Sequence, residues 1–363
     1  MTKIPPAGVV QAAVGLRTTL QKLTRRMVPP DIGLLELASG FTATHAIYAV
    51  AKLGIADALA NGPLPAEEIA TAVGADPDNT ARLLRACANF GVFTQLLDGR
   101  FAMTALAEPL RSDPPDSMLP VILMLGDSRY QQPWSQLATT VQTGVSGVET
   151  VFGMTMWEYL DDNPEFAATF NNAMSRLSAL DWPTVAAVYD FKQYSTIVDV
   201  GGGHGQLLAL MLAASPTAKG VLQEREGVVG QAEVHLREAG VLARCRIDTG
   251  SFFDTAPSDG DLYVMRRVIH DFDDEQAEAI LTNIRRHMKM DSTLLLLESV
   301  VPPGNTPHFA KTLDLDMMIF VGGRERTERQ FGALLDRAGF RITRIIPTIS
   351  TISLVEAVAS SRP

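Results

Sequence analysis

The sequence predicts a chain in two parts, a mostly α-helical N-terminal half and a C-terminal half built as a doubly wound α/β sheet with parallel strands. Helical patterns run almost without interruption to about residue 190, whereas short apolar strands alternate with helix-like segments after Ser195. The chain has 363 residues, more than the roughly 300 at which a single core usually stops growing. We therefore expect two domains, 1–190 and 191–363.

The N-terminal half opens with two predicted helices, 9–27 and 32–53. Pro29 and Pro30 separate them, because proline ends or begins a helix but rarely continues one. Shorter helices follow. This half therefore supplies helical surface and no large sheet.

Inside this half, residues 65–110 form a small module. A helix at 66–73 comes first, and a second helix begins at Pro77 behind the predicted cap Asp76 and runs to about residue 89. Two short strands follow within 92–103, around the hairpin signal Leu-Asp-Gly. Helix, helix and hairpin in this order predict a winged helix.

A winged helix has two common uses, DNA binding and the packing or dimerisation of a protein. DNA binding needs a clustered basic face. The second helix carries Arg82 and Arg85 but also Asp78, and the whole chain has a formal charge of -10. The packing or dimerisation function is therefore favoured, and a nucleic-acid-binding regulator stays open as the weaker alternative.

Composition also limits the environment. Hydrophobic residues make up 46% of the chain, enough for packed cores, and the two cysteines, Cys87 and Cys245, are predicted to be reduced core residues. The N-terminus lacks a signal-peptide pattern, and no apolar run reaches the roughly 18 residues of a membrane helix. A soluble cytoplasmic protein without a membrane or nucleic-acid partner is expected.

The C-terminal half reads as alternating strands and helices. The predicted elements are strand 196–200, helix 205–214, strand 219–223, helix 227–239, strand 245–249, strand 261–265, helix 273–288 and strand 293–299. This alternation is typical of a doubly wound parallel sheet, in which ligands bind at the carboxyl ends of the strands.

A glycine-rich turn follows the first of these strands, where residues 199–205 read DVGGGHG. Glycine permits positive φ and a close approach of the backbone to a ligand. A dinucleotide fingerprint would need glycine at Gln206, and a P-loop would need Gly205 to be followed by Lys and then Ser or Thr. The turn therefore favours a small cofactor that lacks a phosphate group.

Two acids suit such a cofactor. Asp199 and the open backbone can hold an ammonium and a carboxylate group. Glu224 stands 19 residues after Gly205, at the end of the next strand, where an acid can bind a ribose diol. Alternatively, Glu224 belongs to a solvated charged loop with Arg225 and Glu226.

Five motifs occur in one order along nearly the whole chain. They are DVGGGHG at 199–205, GSFF at 250–253, MRRVIHDFDDE at 265–275, LLE at 296–298 and GGRERT at 322–327. In this combination the sequence resembles the S-adenosylmethionine-dependent O-methyltransferases with an N-terminal dimerisation domain, which include plant phenolic and bacterial polyketide-tailoring enzymes. The resemblance implies a Rossmann-like catalytic domain, a homodimer formed through the winged-helix domain, S-adenosylhomocysteine as product and no metal.

The resemblance also assigns cofactor contacts by matched position. The glycine turn would contact the methionine part, Glu224 the ribose hydroxyls, Ser251 and Phe252 the adenine, and Arg266 the adenosine. The implied cofactor residues are Asp199, Gly201, Gly202, Gly203, Glu224, Ser251, Phe252 and Arg266. The family usually has Asp where this chain has Ser251, and a hydroxyl accepts a hydrogen bond without the assistance of a charge, so weaker cofactor binding is expected.

Catalysis is predicted to depend on His270, which follows strand 261–265. A hydroxyl group is a poor nucleophile until it loses its proton, and histidine suits a general base at neutral pH. By resemblance, Glu298 and Glu325 flank and orient it. Their alternative roles are a strand-end charge and a helix-entry acid. The nearby acids 271, 273 and 274 are expected in the first turn of helix 273–288 and not at a metal.

The acceptor wall is predicted from aromatic, methionine and polar positions, mostly in the helical half. The candidates are Met154, Trp157, Asn172, Met174, Met317 and Met318, with Met124, Tyr130, Trp134, Phe166 and Phe320 as further positions. Many of them could be core residues instead. They favour a small aromatic or polyketide-like acceptor that is methylated on a hydroxyl. A cofactor-bound relative that decarboxylates, hydroxylates or rearranges its substrate is the alternative.

Overall fold

The computed structural model describes residues 16–360 except 18, 21, 22 and 25. The described residues among 16–26 are helical, and most of the predicted helix 9–27 lies outside the described residues. The helices of the N-terminal half are α1 Pro30–Ala38, α2 Phe41–Leu53, α3 Ile55–Ala58, α4 Ala66–Val73, α5 Pro77–Asn89, α6 Leu119–Gly126, α7 Ser128–Trp134, α8 Leu137–Thr143, α9 Gly147–Phe152, α10 Met156–Asp162 and α11 Pro164–Ala186.

The helix predicted over 32–53 is two helices, α1 and α2, because the chain turns at Ser39 and Gly40, both poor helix formers. The small module is present as predicted. Asp76 caps α5 by accepting the Asn79 N–H at 2.9 Å. Strands β1 Phe93–Gln95 and β2 Phe101–Met103 pair antiparallel, which completes the helix, helix and hairpin order.

The C-terminal half contains a seven-stranded sheet. Its strands are β3 Thr196–Val200, β4 Lys219–Glu224, β5 Cys245–Thr249, β6 Leu262–Arg266, β7 Thr293–Glu298, β8 Phe340–Pro347 and β9 Ser353–Ala359, and its helices are α12 Gln206–Ala214, α13 Ala232–Glu238, α14 Asp274–His287, α15 Ala310–Phe320 and α16 Glu328–Arg337. The helix predicted over 227–239 is shorter than expected, because the chain first makes a 3₁₀ turn at Val229–Gln231.

The strand order is β5-β4-β3-β6-β7-β9-β8. The first five strands in this order are parallel, as predicted, and an antiparallel edge that was not predicted follows, in which β9 pairs with β7 and with β8. Only the short segment 348–352 joins β8 to β9, and antiparallel pairing is what such a short connection permits. Both strands were missing from the sequence prediction.

Helices cover both faces of the sheet. One face packs its alternating side chains against α14 and α16, and the other packs against α12 and α13. The first face presents Val198, Val200, Tyr263, Met265, Leu294 and Leu296, and the second presents Ile197, Leu262, Val264, Leu295 and Leu297. All eleven are at most 1% exposed, which makes the sheet a rigid base for the loops at its carboxyl edge.

The chain forms two compact units. One comprises Arg17–Ser135 and Trp157–Leu177, and the other comprises Gln136–Met156 and the chain from Ser178 onward. The two units alternate along the chain, whereas the sequence suggested a single boundary at residue 190. Helices α8 and α9 contact α15, and the end of α11 is bonded to β6, so these segments pack with the sheet. No helix of the described chain has the length and apolar character of a bilayer span.

Candidate active site

The glycine turn directly follows β3. Gly201, Gly203 and Gly205 have φ values of 69°, 57° and 77°, in the left-handed region that side chains disfavour. Gly202 is required for space, because a Cβ there would lie 2.5 Å from Asp199 Oδ2 and from Leu222 Cδ1. The turn therefore lies close against its surroundings and presents bare backbone at the end of the sheet.

Two carboxylates lie beneath this turn. Glu224 ends β4 and accepts the Gly203 N–H at 3.0 Å and the Arg225 N–H at 2.8 Å. Asp199 is 1% exposed, and its Oδ2 has no hydrogen-bond partner within the described residues. Burial, and then the charge of Glu224, raise the pKa of Asp199 to about 7. An unpaired buried acceptor at this place is suited to a cationic ligand group.

A hydrophobic wall adjoins the glycine turn after β5. The ring of Phe252 packs against those of Phe253 and Phe272, with centroids 5.3 and 5.9 Å apart. Asn283 holds this loop by donating its Nδ2–H to the Phe252 carbonyl at 2.9 Å. The hydroxyl of Ser251 accepts the Phe253 N–H at 3.2 Å. Phe252 lies beside the turn, with its Cε1 3.5 Å from where a Cβ on Gly201 would be, and the adenine contacts of Ser251 and Phe252 stay a prediction.

Arg266 ends β6, and its guanidinium is engaged by α11. It donates to Ser178 Oγ at 2.6 Å and to Asp181 Oδ2 at 2.8 Å. Its Nε has no hydrogen-bond partner in the described part of the chain. The two bonds direct the charged end of Arg266 to α11, so an adenosine contact of this residue stays a prediction.

His270 lies in a 3₁₀ turn, Ile269–Asp271, just beyond β6, and is 5% exposed. Its Nδ1 is 2.8 Å from Glu325 Oε1 and 3.7 Å from Glu298 Oε2. The three residues are 28 and 27 positions apart in sequence, and the fold brings them together. A buried imidazole held at one nitrogen by a carboxylate is the arrangement of an oriented base.

Glu298 anchors the backbone as well as facing the imidazole. Its Oε1 accepts the N–H groups of Val268 at 3.1 Å and Ile269 at 3.0 Å, which fixes the turn immediately before His270. Its Oε2, which faces the imidazole, has no hydrogen bond within the described residues. Glu298 thus positions the loop, whereas Glu325 bonds the ring.

Asp271 does not belong to the first turn of α14, contrary to the sequence prediction. Asp273 caps that helix and the helix begins at Asp274, whereas Asp271 ends the preceding 3₁₀ turn. Its Oδ1 lies 3.4 Å from His270 Nε2, on the opposite edge of the imidazole from Glu325. Burial raises the pKa of Asp271 to about 7.

Charge in this cluster is balanced by neighbours that the sequence analysis missed. Burial raises the pKa of Glu325 to about 8; the charges of Arg267 and Arg326 act against this rise, and that of Asp314 adds to it. Arg267 is the only non-glycine residue with positive φ, 50°, in the described chain. Asp314 of α15 accepts the Glu325 N–H at 2.8 Å. A strained backbone between a strand and a histidine was not visible in the sequence.

The two groups of residues meet at one point of the sheet. The glycine turn follows β3 and His270 follows β6, and these are adjacent strands from which the chain winds outward in opposite directions. A Cβ on Gly201 would lie 3.0 Å from Val268 Cγ2, two residues before His270. The site therefore lies at the topological switch point, where doubly wound sheets bind ligands.

Comparison with known proteins decides what this edge of the sheet belongs to. Residues 134–341 match the O-methyltransferase domain family, and residues 35–113 match the O-methyltransferase dimerisation domain. A phenazine O-methyltransferase of Lysobacter antibioticus is 40% identical over 91% of this chain and 96% of its own. The chain is an S-adenosylmethionine-dependent O-methyltransferase of this family.

Relatives of this O-methyltransferase differ in the atom that they methylate. The 8-amino-8-demethylriboflavin N,N-dimethyltransferase of Streptomyces davaonensis is 33% identical over 85% of this chain and 90% of its own. The solved structure of an O-methyltransferase from neocarzinostatin biosynthesis, in complex with S-adenosylmethionine and 2-hydroxy-5-methyl naphthoic acid, has a TM-score of 0.75 and 32% identity, covering 87% of this chain and 96% of that chain.

The residues of this methyltransferase fit its cofactor. The amino group of S-adenosylmethionine is a cation, and the unpaired oxygen of Asp199 lies beneath the glycine turn. The Phe252 wall offers a flat apolar face of the kind that stacks on an adenine. The carboxylate of Glu224 is already bonded at both oxygens, yet each oxygen can accept a further hydrogen bond.

The acceptor candidates fall into two groups. Met317 and Met318 are partly buried and lie one turn along α15 from Asp314, which bonds the Glu325 segment. Met154 follows α9, which packs on α15. Trp157, Asn172 and Met174 belong to the other unit, as do Met124, Tyr130 and Phe166, which are buried at 3%, 8% and 1% exposure and serve its core.

Proposed function

We propose that this methyltransferase transfers the methyl group to a hydroxyl of a small aromatic or polyketide-like acceptor, with His270 as the general base. The observation that carries the proposal is the buried His270 Nδ1 at 2.8 Å from Glu325 Oε1, beside the glycine turn. S-adenosylmethionine, when bound, would supply a sulfonium methyl group, whose carbon bonds to the acceptor oxygen as its bond to sulfur breaks, with S-adenosylhomocysteine as the leaving group. No metal takes part in the proposed reaction.

The tautomer of His270 follows from its partner. When Glu325 is ionised, its carboxylate accepts the Nδ1–H, so Nε2 carries the lone pair and can take the proton of an acceptor hydroxyl. The resulting imidazolium lies among the carboxylates of Glu298, Glu325 and Asp271, which stabilise its charge. Its burial keeps water from competing for the lone pair.

The side chains and the names of the relatives support the proposed class of acceptor. Methionines are polarisable and adapt to flat rings, and Met154, Met317 and Met318 lie in the unit that contains His270. The names of relatives refer to phenazine, riboflavin and naphthoic acid, all fused aromatic rings. A fused or substituted phenol is therefore the proposed class.

A homodimer is the second part of the proposal. Helix α1 buries none of its residues, and Leu34, Leu35 and Leu37 are 69%, 62% and 59% exposed. Apolar helices of this kind need a covering surface. We expect light scattering to give a dimer, and the charged double variant Leu34→Glu/Leu37→Glu to be a monomer. A wild-type monomer at micromolar concentration would contradict this part.

The decisive experiment replaces the base. His270→Ala should lose roughly 10²- to 10⁴-fold in turnover on a panel of phenols, while S-adenosylhomocysteine still binds in calorimetry. His287→Ala, at the end of α14, is the matched control and should keep full activity. Undiminished turnover in His270→Ala would exclude the base role. Methylation of arylamines but not phenols would make the enzyme an N-methyltransferase.

The same assay tests the metal alternative. The donor atoms of His270, Glu298 and Glu325 lie within 4.8 Å of one another, close enough to hold a divalent ion. Turnover of the proposed enzyme should be unchanged after treatment with EDTA. Loss of activity that added Mg²⁺ or Zn²⁺ restores would replace the base mechanism with a metal-assisted one.

A further inference from the structure

One segment contacts the His270 turn through four successive residues, 323–326. A Cβ on Gly323 would overlap the carbonyl oxygen of His270, so the two backbones lie in direct contact. The Arg324 N–H donates to that same oxygen at 2.8 Å. Glu325 then bonds the imidazole, as described above. Every one of these contacts depends on the register between the segment and the turn.

Arg326 adds a side-chain cross-link to this pairing. It is the largest of the fully buried side chains, at 0% exposure. Its Nη1 donates to the Ile269 carbonyl at 2.8 Å and its Nη2 to the Phe272 carbonyl at 2.9 Å. One planar group therefore spans the turn, with one bond on each side of His270.

The charge of Arg326 is balanced by Asp274, the first residue of α14, which follows the His270 turn. Asp274 Oδ1 accepts from Nε at 3.0 Å and from Nη2 at 2.8 Å. A buried guanidinium is costly to keep unless nearly all of its donors are paired, and here they are. A lysine would carry the charge but could not reach both carbonyls and the carboxylate, since its donors radiate from a single atom.

We propose that Arg326 is a positioning residue, which fixes the turn that carries His270 against the segment that carries Glu325 and so sets the bond between them. The inference deepens the proposed function, because it assumes that the His270–Glu325 bond orients the base. Arg326 touches neither of the two side chains by a hydrogen bond; it acts on the backbone that holds them. Its neighbour Arg324 is half exposed and serves as the matched control.

The test observes the hydrogen bond itself. In protein labelled with ¹⁵N-histidine, the Nδ1–H of His270 should give a downfield proton resonance, assigned by its absence in His270→Ala. We expect Arg326→Met to lose this resonance and Arg326→Lys to shift or broaden it, while Arg324→Gln keeps it. Circular dichroism and S-adenosylhomocysteine binding establish that each variant is folded. Retention of the wild-type resonance in folded Arg326→Met overturns the proposal.

A second variant covers the case in which Arg326→Met does not fold. Asp274→Asn leaves both carbonyl bonds in place and removes only the charge partner, which is 43% exposed and so easily replaced. In Asp274→Asn the His270 Nδ1–H resonance should shift in the same direction as in Arg326→Lys, but by a smaller amount. If this resonance does not move and the titration of His270 is unaltered, the result counts against the proposal.

Turnover gives an independent measure. When a phenol of the panel is methylated, Arg326→Lys should lower kcat by about 10²-fold with KM for S-adenosylmethionine unchanged, since a misplacement of about 1 Å can cost that much. The resonance needs no acceptor, so a panel without any product would count against the proposed function and leave the test of Arg326 intact.

Discussion

The cofactor edge of the site, at β3 to β5, and the base edge, at β6, β7 and residues 322–326, hold their functional atoms in different ways. At the cofactor edge the backbone forms the site, because glycines of positive φ and the absence of a side chain at Gly202 leave space beside the turn. At the base edge buried side chains form the site: His270, Glu298 and Glu325 are all at most 5% exposed. A change in shape should disrupt the first edge, and a change in charge the second.

The largest effect is expected at the base edge. Glu325→Gln keeps the size of the side chain but cannot become the carboxylate that stabilises the imidazolium, so kcat measured above pH 8, where Glu325 is ionised, should fall by about 10²-fold or more with cofactor affinity unchanged. The matched control is Glu328→Gln, an exposed position in the first turn of α16. Equal losses of kcat and of S-adenosylhomocysteine affinity would show that the two edges are not separate.

Although Glu325→Gln should lower kcat, it should raise the stability of the folded protein. Burial raises the pKa of Glu325 to about 8, above the ordinary value of 4.5, so the folded protein holds a proton that the unfolded chain releases. The stability contributed by this proton is complete below about pH 4.5 and is lost as the pH rises to about 8. Glu325→Gln should therefore gain melting temperature relative to wild type between pH 5 and pH 8.5, measured by scanning calorimetry.

The cofactor edge should respond to a single methyl group. Gly202→Ala places a Cβ 2.5 Å from Asp199 Oδ2 and Leu222 Cδ1, and overpacking of this kind costs about 1–3 kcal/mol. We expect S-adenosylhomocysteine affinity to fall by about 10- to 100-fold in calorimetry. Gly227→Ala meets nothing within 4 Å and is the control. A variant that binds as tightly as wild type would show that the turn has more room than its contacts indicate.

A smaller effect should be measurable as the release of protons when S-adenosylhomocysteine binds. Asp199 has a pKa of about 7 because it is buried near Glu224, and a cationic amino group placed beside it favours the ionised form. Binding of S-adenosylhomocysteine at pH 6 should therefore release about one proton and tighten as the pH rises towards 7. Calorimetry in phosphate and in Bis-Tris buffers, whose heats of ionisation differ, measures the release.

The control for this measurement is Asp254→Asn, an exposed acid in the loop after β5. Asp199→Asn should abolish the difference in heat between the two buffers, and Asp254→Asn should leave it unchanged. Identical heats for the wild type in both buffers would mean that Asp199 keeps its proton state on binding.

The sequence predicts the cofactor edge better than the base edge, because the first is built from contiguous backbone and the second from side chains distant in sequence. The turn 199–205 and the strand that precedes it are contiguous, so local glycine and strand patterns were enough to predict them. The second helix of the small module was also predictable from its cap, Asp76. The antiparallel edge, β8 and β9, was not, because its pairing is set by a short connection rather than by alternation with helices.

At the base edge the sequence could indicate residue types but not their contacts. His270 was predicted from its chemistry and its place after strand 261–265, and Glu298 and Glu325 were assigned by resemblance to a family. The anchoring of Val268 and Ile269 by Glu298, the position of Asp271 beside His270, and the cross-link by Arg326 all depend on long-range geometry. The burial of Arg326 next to Glu325 has no local sequence pattern that would predict it.

The smallest effect tests Ser251, a position of the cofactor edge where the family usually has Asp. Ser251 accepts the Phe253 N–H as a neutral hydroxyl. Ser251→Asp adds a charged acceptor, and such a bond is about 1 kcal/mol stronger, so S-adenosylhomocysteine affinity should rise by about fivefold. The exposed Ser258→Asp controls for added charge. If only Ser251→Asp tightens binding, side-chain charge also contributes at this edge; if neither does, backbone and stacking already supply the adenine contact.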